Sequence, residues 1–419
     1  MKSIIQKRKT VPVSLGWLVT MTVAAFYLYE YYLRVMPSSM INYFISSFGA
    51  SIKDIGHIET AYYWTYVPLQ VFVGTILDIF GVRKPLFIAL MSCLVGSLLF
   101  SLESSLAYII AGRALIGFGS AFGFVAVLKA ASVWLPKRHF PIAIGIATAM
   151  GMLGAIFGKI FTTSMILSVG VKQLLEMTVQ FSIALAIISY FLVYDRQISN
   201  KKSSMLRRIS SMKKTLIAVI IKPQIWLIGF IGLFLYLPTQ IFGLWDIEFF
   251  ASTRGLPPST AASVSSYIYL GWIIGGPSMG LISSYLKRKS NLLLIGAVAM
   301  IACLYAIIYS EINSLNTLYA LMLTLGFFSS SQILVFDFAT NACKPSHAGT
   351  AIAITNMIVM LGGFIQNLVA YLIEANSVNG VISIDSFRVA FMILPTGLVI
   401  TLILALFVKN PIQMQADQD

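Results

Sequence analysis

Residues 26–39 read FYLYEYYLRVMPSS. They fall in an apolar block that begins near residue 13 and is long enough to cross a bilayer, yet they carry Glu30 and Arg34 one helical turn apart. Charges at membrane depth are costly and are retained where they pair or serve function. A helical period places Tyr27, Glu30, Tyr31 and Arg34 on one face. That face is expected to turn toward a water-accessible interior as half of a solute-binding cavity, not toward lipid. The alternative reading is an i,i+4 pair neutralised within its own helix that only fixes packing.

The rest of the composition agrees with a membrane setting. Of 419 residues, 58% are hydrophobic and 11% charged, with a mean hydropathy of +0.86; this excludes a soluble multidomain chain. Apolar blocks start near residues 13, 56, 85, 106, 139, 174, 224, 260, 291, 317, 348 and 387, each near the roughly 20 residues a spanning helix needs. The first block is too long for a signal-peptide core and has no clean cleavage site, so a retained helix is expected.

A net charge of +14 invites a nucleic-acid reading, but its distribution favours membrane topology. Lys2, Lys7, Arg8, Lys9, Arg83, Lys84, Lys137, Arg138, the basic stretch from Arg196 to Lys222, Lys287, Arg288, Lys289, Lys344 and Lys409 fall on one set of alternate loops. Lys53, Lys172, Arg254 and Arg388 fall on the other. The excess of Lys and Arg marks the cytoplasmic side, so both termini are expected there. Cys93, Cys303 and Cys343 lack metal-ligand spacing, and His57, His139 and His347 sit at expected helix ends. No metal, cofactor, disulfide framework or catalytic constellation is indicated, and no enzyme is expected.

On the second helix, Glu59, Tyr63, Tyr66 and Gln70 recur at helical spacing and are expected to border the same cavity. Its end reads GTILDIFGVRK from Gly74 to Lys84, and here the chain resembles the major facilitator superfamily, whose loop signature is Gly, Asp four residues later, Gly three after that, then basic residues. The fourth helix has a second match in Arg113, Gly117, Gly119 and Ala121. The resemblance implies twelve transmembrane helices in two pseudo-symmetric six-helix bundles, an all-α membrane protein moving solute by alternating access. It also implies for Arg113 a role in coupling or in hydrogen bonding within the amino-terminal half, and gating roles for Asp78 and Arg83. Where the family's antiporters carry Gly-Pro, this chain has Gly154-Ala155, which argues against a drug exporter.

The second half repeats the first. Gly280, Ser284, Lys287 and Lys289 keep the mutual spacings of Gly74, Asp78, Gly81 and Arg83, so the loop aspartate is missing from the second copy. Gly117 lies nineteen residues before Pro136, as Gly326 does before Pro345. Expected domains are 1–194 and 223–419, joined by a basic linker at 195–222 that suits an anionic lipid surface. The alignment brings Lys129 and Asp337 within one position of each other, and this pair is expected to form a gating bridge between the halves when the cavity faces outward; the alternative is that each charge snorkels or pairs within its own bundle. On helix seven Tyr236 and Gln240 share a face, with Trp245, Asp246 and Glu248 near its outer end; Lys159 and helix-eleven Asn356 and Asn367 are further intramembrane polar groups.

The YEYYLRVMPS run is similar to the anion:cation symporter and bacterial phagosomal nutrient transporter branches; organophosphate antiporters differ in taking an arginine from helix seven. The resulting expectation is proton-coupled uptake of a small carboxylate-bearing solute, such as an organic acid or amino acid, across the cell inner membrane by a monomer. Substrate contacts are assigned to Arg34, Tyr27, Tyr31, Tyr63, Tyr66, Gln70, Tyr236, Gln240 and Asn356, and proton coupling to Glu30 and Arg113. Export of a metabolite or siderophore by proton antiport is the alternative.

Overall fold

A computed structural model of the chain describes residues 12–102, 105–195, 205–286, 288–310, 312, 314–344, 347–377 and 382–408. Of the basic residues named above, Lys2, Lys7, Arg8, Lys9, Arg196, Lys201, Lys202, Lys287 and Lys409 lie outside the described residues, as do the side chains of Lys137, Arg207 and Arg208.

Among the described residues the structure is helical, without strands. Ten helices are long and apolar enough to cross a membrane: α1 (Val13–Ser39), α3 (Arg83–Ser101), α4 (Leu106–Trp134), α5 (Ile142–Val169), α6 (Val171–Leu192), α7 (Pro223–Arg254), α9 (Ser290–Tyr309), α10 (Leu315–Asn341), α11 (Ala348–Ala375) and α12 (Ile384–Ala405). Two more, α2 (Ile52–Phe80) and α8 (Pro258–Tyr285), match them in length at 29 and 28 residues. They are more polar because both face the centre. Alternation places the start of α1 and the end of α12 on one side, called the near side below; the α1–α2 and α7–α8 connections lie on the far side.

Local chemistry sets the helix limits. Ser51 and Asp54 form a reciprocal capping box at the start of α2, the Asp54 carboxylate accepting from Ser51 N at 2.8 Å. This lets α2 begin several residues before its apolar block does. Proline opens α7 and α8 at Pro223 and Pro258, where its missing N–H costs nothing. The α1–α2 connection holds a short helix, Ile41–Phe48. The described part of the linker forms another, Met205–Ile220.

The two halves share a scaffold. A Cβ on Gly117 in α4 would collide with the carbonyl oxygen of Tyr62 in α2, and one on Gly326 in α10 with that of Ile268 in α8. Tyr62 stands twelve residues before Gly74, as Ile268 does before Gly280. The same glycine thus permits the same close crossing in each copy. Both copies also interrupt the helix three residues later, after Ser120 and after Ser329. Within the first half α1 packs on α5, α2 on α4 and α3 on α6; the second half repeats this with α7 on α11, α8 on α10 and α9 on α12. The halves meet where α5 packs on α8 and α2 on α11.

Candidate functional site

Three buried ion pairs occupy the centre. Glu30 and Arg34 pair along α1 at 3.2 Å. Arg34 also donates through Nε to the Tyr62 hydroxyl at 2.8 Å, and that hydroxyl donates to Glu30 at 3.3 Å. Its guanidinium lies 4.3 Å from the ring centre of Tyr31 and 4.9 Å from that of Tyr66. A cation sharing its charge with one carboxylate and stacked on aromatic faces is held without being saturated, since Arg offers five N–H donors.

Arg113 on α4, fully buried, pairs with Glu59 on α2. Its Nη1 also donates to the Leu33 carbonyl at 2.9 Å. The reason is local: residue 37 is proline, so the Leu33 carbonyl has no N–H four residues on to bond. Arg113 supplies that donor and fixes the end of α1. The third pair crosses between the halves. Lys159 on α5 bonds Asp246 on α7 with both side chains fully buried, and reaches the carbonyls of Phe242 and Gly243 at 3.3 Å.

Between these pairs lies a small cavity of about 20 Å³ lined by Tyr31, Arg34, Val35, Glu59, Tyr63, Tyr236, Thr239, Gln240, Gly243 and Tyr269. That is room for a water and too little for an organic solute. Far-side contacts close it: Lys53 pairs with Glu374 at 3.0 Å, and Asn42 donates to Glu248 at 3.4 Å. The Tyr31 and Tyr236 hydroxyls meet across the cavity at 3.4 Å.

Of the residues assigned from sequence to the solute, Arg34, Tyr31, Tyr63, Tyr236 and Gln240 line the cavity. Tyr27 instead packs edge-on behind Tyr31, ring centres 5.2 Å apart. Tyr66 stacks on Tyr62 beneath Arg34. Gln70 accepts from Asn356 at 3.0 Å, tying α2 to α11. Glu59, Thr239 and Tyr269 line the cavity without having been assigned to the solute. Glu59 was legible as part of the α2 stripe; Lys159 and Asp246 were visible as charges within spans, but not as partners.

In this conformation, with far-side contacts formed, Lys129 and Asp337 do not bridge the halves. Lys129 pairs with Asp78 at 2.5 Å, and Asp337 with Lys289 at 2.7 Å and Asn341 at 3.1 Å. Each charge finds an opposite charge within its own half, Lys129 on α2 and Asp337 at the turn that opens α9. The polarity is reversed between copies: the acid lies on α2 in the first, and on α10 in the second, where Ser284 stands in the position of Asp78. Arg83 donates to the Tyr190 carbonyl at 3.0 Å. Helix α7 does carry an arginine, Arg254, but in its last far-side turn, donating to the Ile307 carbonyl at 3.0 Å and away from the cavity.

These features agree with comparisons to known proteins. The chain is 20% identical over 382 residues to the probable sulfoacetate transporter SauU of Cupriavidus necator, spanning 87% of this chain and 86% of that protein. It is 28% identical to the D-galactonate transporter of Escherichia coli O6:H1 over 110 residues, 26% of each. A bacterial homologue of the human lysosomal transporter Spinster, solved in an inward-facing and occupied conformation, shares the fold with a TM-score of 0.71 at 14% identity, over 93% of this chain and 96% of that one. Residues 17–366 match the sequence profile of the Major Facilitator Superfamily, and the chain, a multi-pass membrane transporter, belongs to that family.

Proposed function

We propose that the protein takes up a small carboxylate-bearing solute together with a proton, by alternating access. The observation that carries this reading is Arg34, shared between Glu30 and the edge of a cavity that both halves line. A solute carboxylate and Glu30 compete for the same guanidinium. When a proton binds the Glu30 carboxylate, Arg34 is left with an uncompensated charge, which a bidentate contact with the solute anion satisfies. The site is net neutral in both states, Glu⁻ with Arg⁺ or GluH with Arg⁺ and the anion, so neither form carries unbalanced charge across the bilayer. D-galactonate, named for one relative, is a small organic monoanion that suits this charge balance; sulfoacetate, named for another, carries a sulfonate besides its carboxylate and would need a second positive charge or proton.

In this reading residues 1–194 and 223–419 move as two bodies joined by 195–222. The Arg113–Glu59 pair holds α1 against α4 and α2, and the Lys159–Asp246 pair latches the far side. Asp78–Lys129 and Asp337–Lys289 lock the near side within each half, with Arg83 beside them. The near side, bearing Arg83, Lys84, Arg138, Lys222 and Lys289, is cytoplasmic, in a cell inner membrane. A single chain suffices, with no cofactor and no nucleic acid.

The test is proton movement in weakly buffered proteoliposomes on adding carboxylates, amino acids and sugar acids in turn. External alkalinisation on adding one solute, absent from protein-free vesicles, is the expected outcome. Solute exchange without proton movement would remove coupling from the reading.

A further inference from the structure

A groove of about 310 Å³ runs down the outer face of the first half between α3 and α6. Its walls are apolar throughout: Phe87, Met91 and Leu94 on α3, and Ile183, Ile187 and Phe191 on α6, with the small side chain of Ala186 at its floor. The spacing of four, then three, along α3 keeps its three residues on one face, aimed at the same gap. From Arg83 to Leu94 the helix rises about 16 Å at roughly 1.5 Å per residue. That is about half of a hydrocarbon core of roughly 30 Å. The groove itself, between Phe87 and Leu94, takes about 10 Å of that rise, so it holds the deeper part of one acyl chain of the near-side leaflet, below an interface marked by Arg83.

Its near-side mouth is basic. Arg83 stands one helical turn above Phe87, its guanidinium 4.8 Å from the ring centre of Tyr190. Its Nη2 is fixed on the Tyr190 carbonyl, and its Nε is buried without a hydrogen-bond partner. Lys84 beside it is exposed. The acid at this rim, Asp195, has Oδ1 engaged by the backbone N–H groups of Val82 and Arg83 at 2.7 and 3.1 Å. Tyr190 and Tyr194 mark the interfacial level.

We infer that this groove is a specific site for an anionic phospholipid of the near-side leaflet, one acyl chain lying between α3 and α6 and the phosphate held by Arg83 and Lys84. An apolar cleft alone would take any lipid; the basic mouth at headgroup height selects a net negative one. The occupant lies on the outer face of the first half, away from the cavity between the halves, and its binding does not depend on which solute is carried.

Native mass spectrometry of the full chain, released from membranes and offered equal amounts of phosphatidylglycerol and phosphatidylcholine, tests the site. The wild type is expected to keep phosphatidylglycerol in preference. Ala186→Phe, which fills the floor, should lose the retained lipid of either kind, while Arg83→Gln with Lys84→Gln should keep lipid but lose the preference. Equal retention of the two lipids by the wild type overturns the anionic selection. As a readout that needs no variant, phosphatidylglycerol with a photoreactive group in its chain should label the 183–191 stretch of the wild type in vesicles. Labelling spread evenly over the lipid-facing helices would overturn the groove as a site.

Discussion

The two halves share a backbone plan and differ in where they put charge. In the first, Glu59 on α2 pairs with Arg113 on α4. In the second, counting from the same glycines, the positions are Ser265 on α8 and Met322 on α10, both buried. Among the described residues these two positions of the α8–α10 crossing therefore form no ion pair, while around the cavity α7 contributes Tyr236, Thr239 and Gln240 and anchors them by neutral bonds. Trp272 donates to Thr239 at 3.0 Å and Gln366 to the Gln240 carbonyl at 2.7 Å. The crossing did not need Arg113 and Glu59 to form, so the charge of the first half answers a different demand. It secures the proline-ended tip of α1, and with it the placement of Arg34.

The sharpest way to break this contrast is to remove one charge at a time. Arg113→Met leaves Glu59 buried alone and the Leu33 carbonyl without its donor, and is expected to cost about 3–5 kcal/mol of stability, read as a lower unfolding temperature in detergent. The double variant Arg113→Met with Glu59→Ser copies the second half. It should regain most of the lost stability yet not transport; a fully active double variant would show that the pair is scaffold alone.

Next in size is Arg34→Ala, expected to weaken solute binding by about 10–100-fold through loss of a charge-assisted contact, measured by equilibrium binding. Unchanged affinity would take Arg34 out of the solute site and make its pairing with Glu30 purely structural.

A smaller effect is expected of Glu30→Gln. Competition for Arg34 means that wild-type affinity for the anion rises as pH falls, by at most about tenfold per pH unit for a single proton. In Glu30→Gln the competitor is neutral at every pH, so binding should be tight and flat with pH, with exchange retained and proton-driven accumulation lost. A variant that still tracks pH like the wild type would pass the coupling role to Glu59 or Asp246.

The smallest change is expected at the near side. Asp78 and Lys129 are partly exposed, and such pairs contribute about 0–1 kcal/mol. Exchanging the two residues should keep the contact and leave stability almost unchanged. Exchanging Lys129 with Asp337 instead places like charges against Asp78 and Lys289, and should lower transport. If that second exchange restored activity lost in the single neutral variants, a bridge between the halves in another conformation would be established.

Much of this was readable along the chain. Composition and the alternation of apolar blocks establish a polytopic helical protein because bilayer thickness fixes span length and leaves little freedom. The duplication is legible because Gly117 and Gly326 are each required by a backbone crossing that admits no side chain. Glu30 and Arg34 could be paired from spacing because both lie on one helix, where a period of 3.6 residues fixes neighbours.

Pairs between helices are another matter. Helical periodicity gives the face a residue occupies but not the rotation or depth of the helix it meets, so the sequence did not show that in this conformation Lys129 meets Asp78. For the same reason Lys159 and Asp246 stood in the sequence as two isolated charges 87 positions apart, and Tyr27 looked equal to Tyr31 although only Tyr31 reaches the cavity. The sequence by itself determined the membrane setting, the repeat and the chemistry available at the centre. Tertiary structure decided which charges neutralise one another, because that choice depends on distances of a few ångströms between separate helices, which no local pattern encodes.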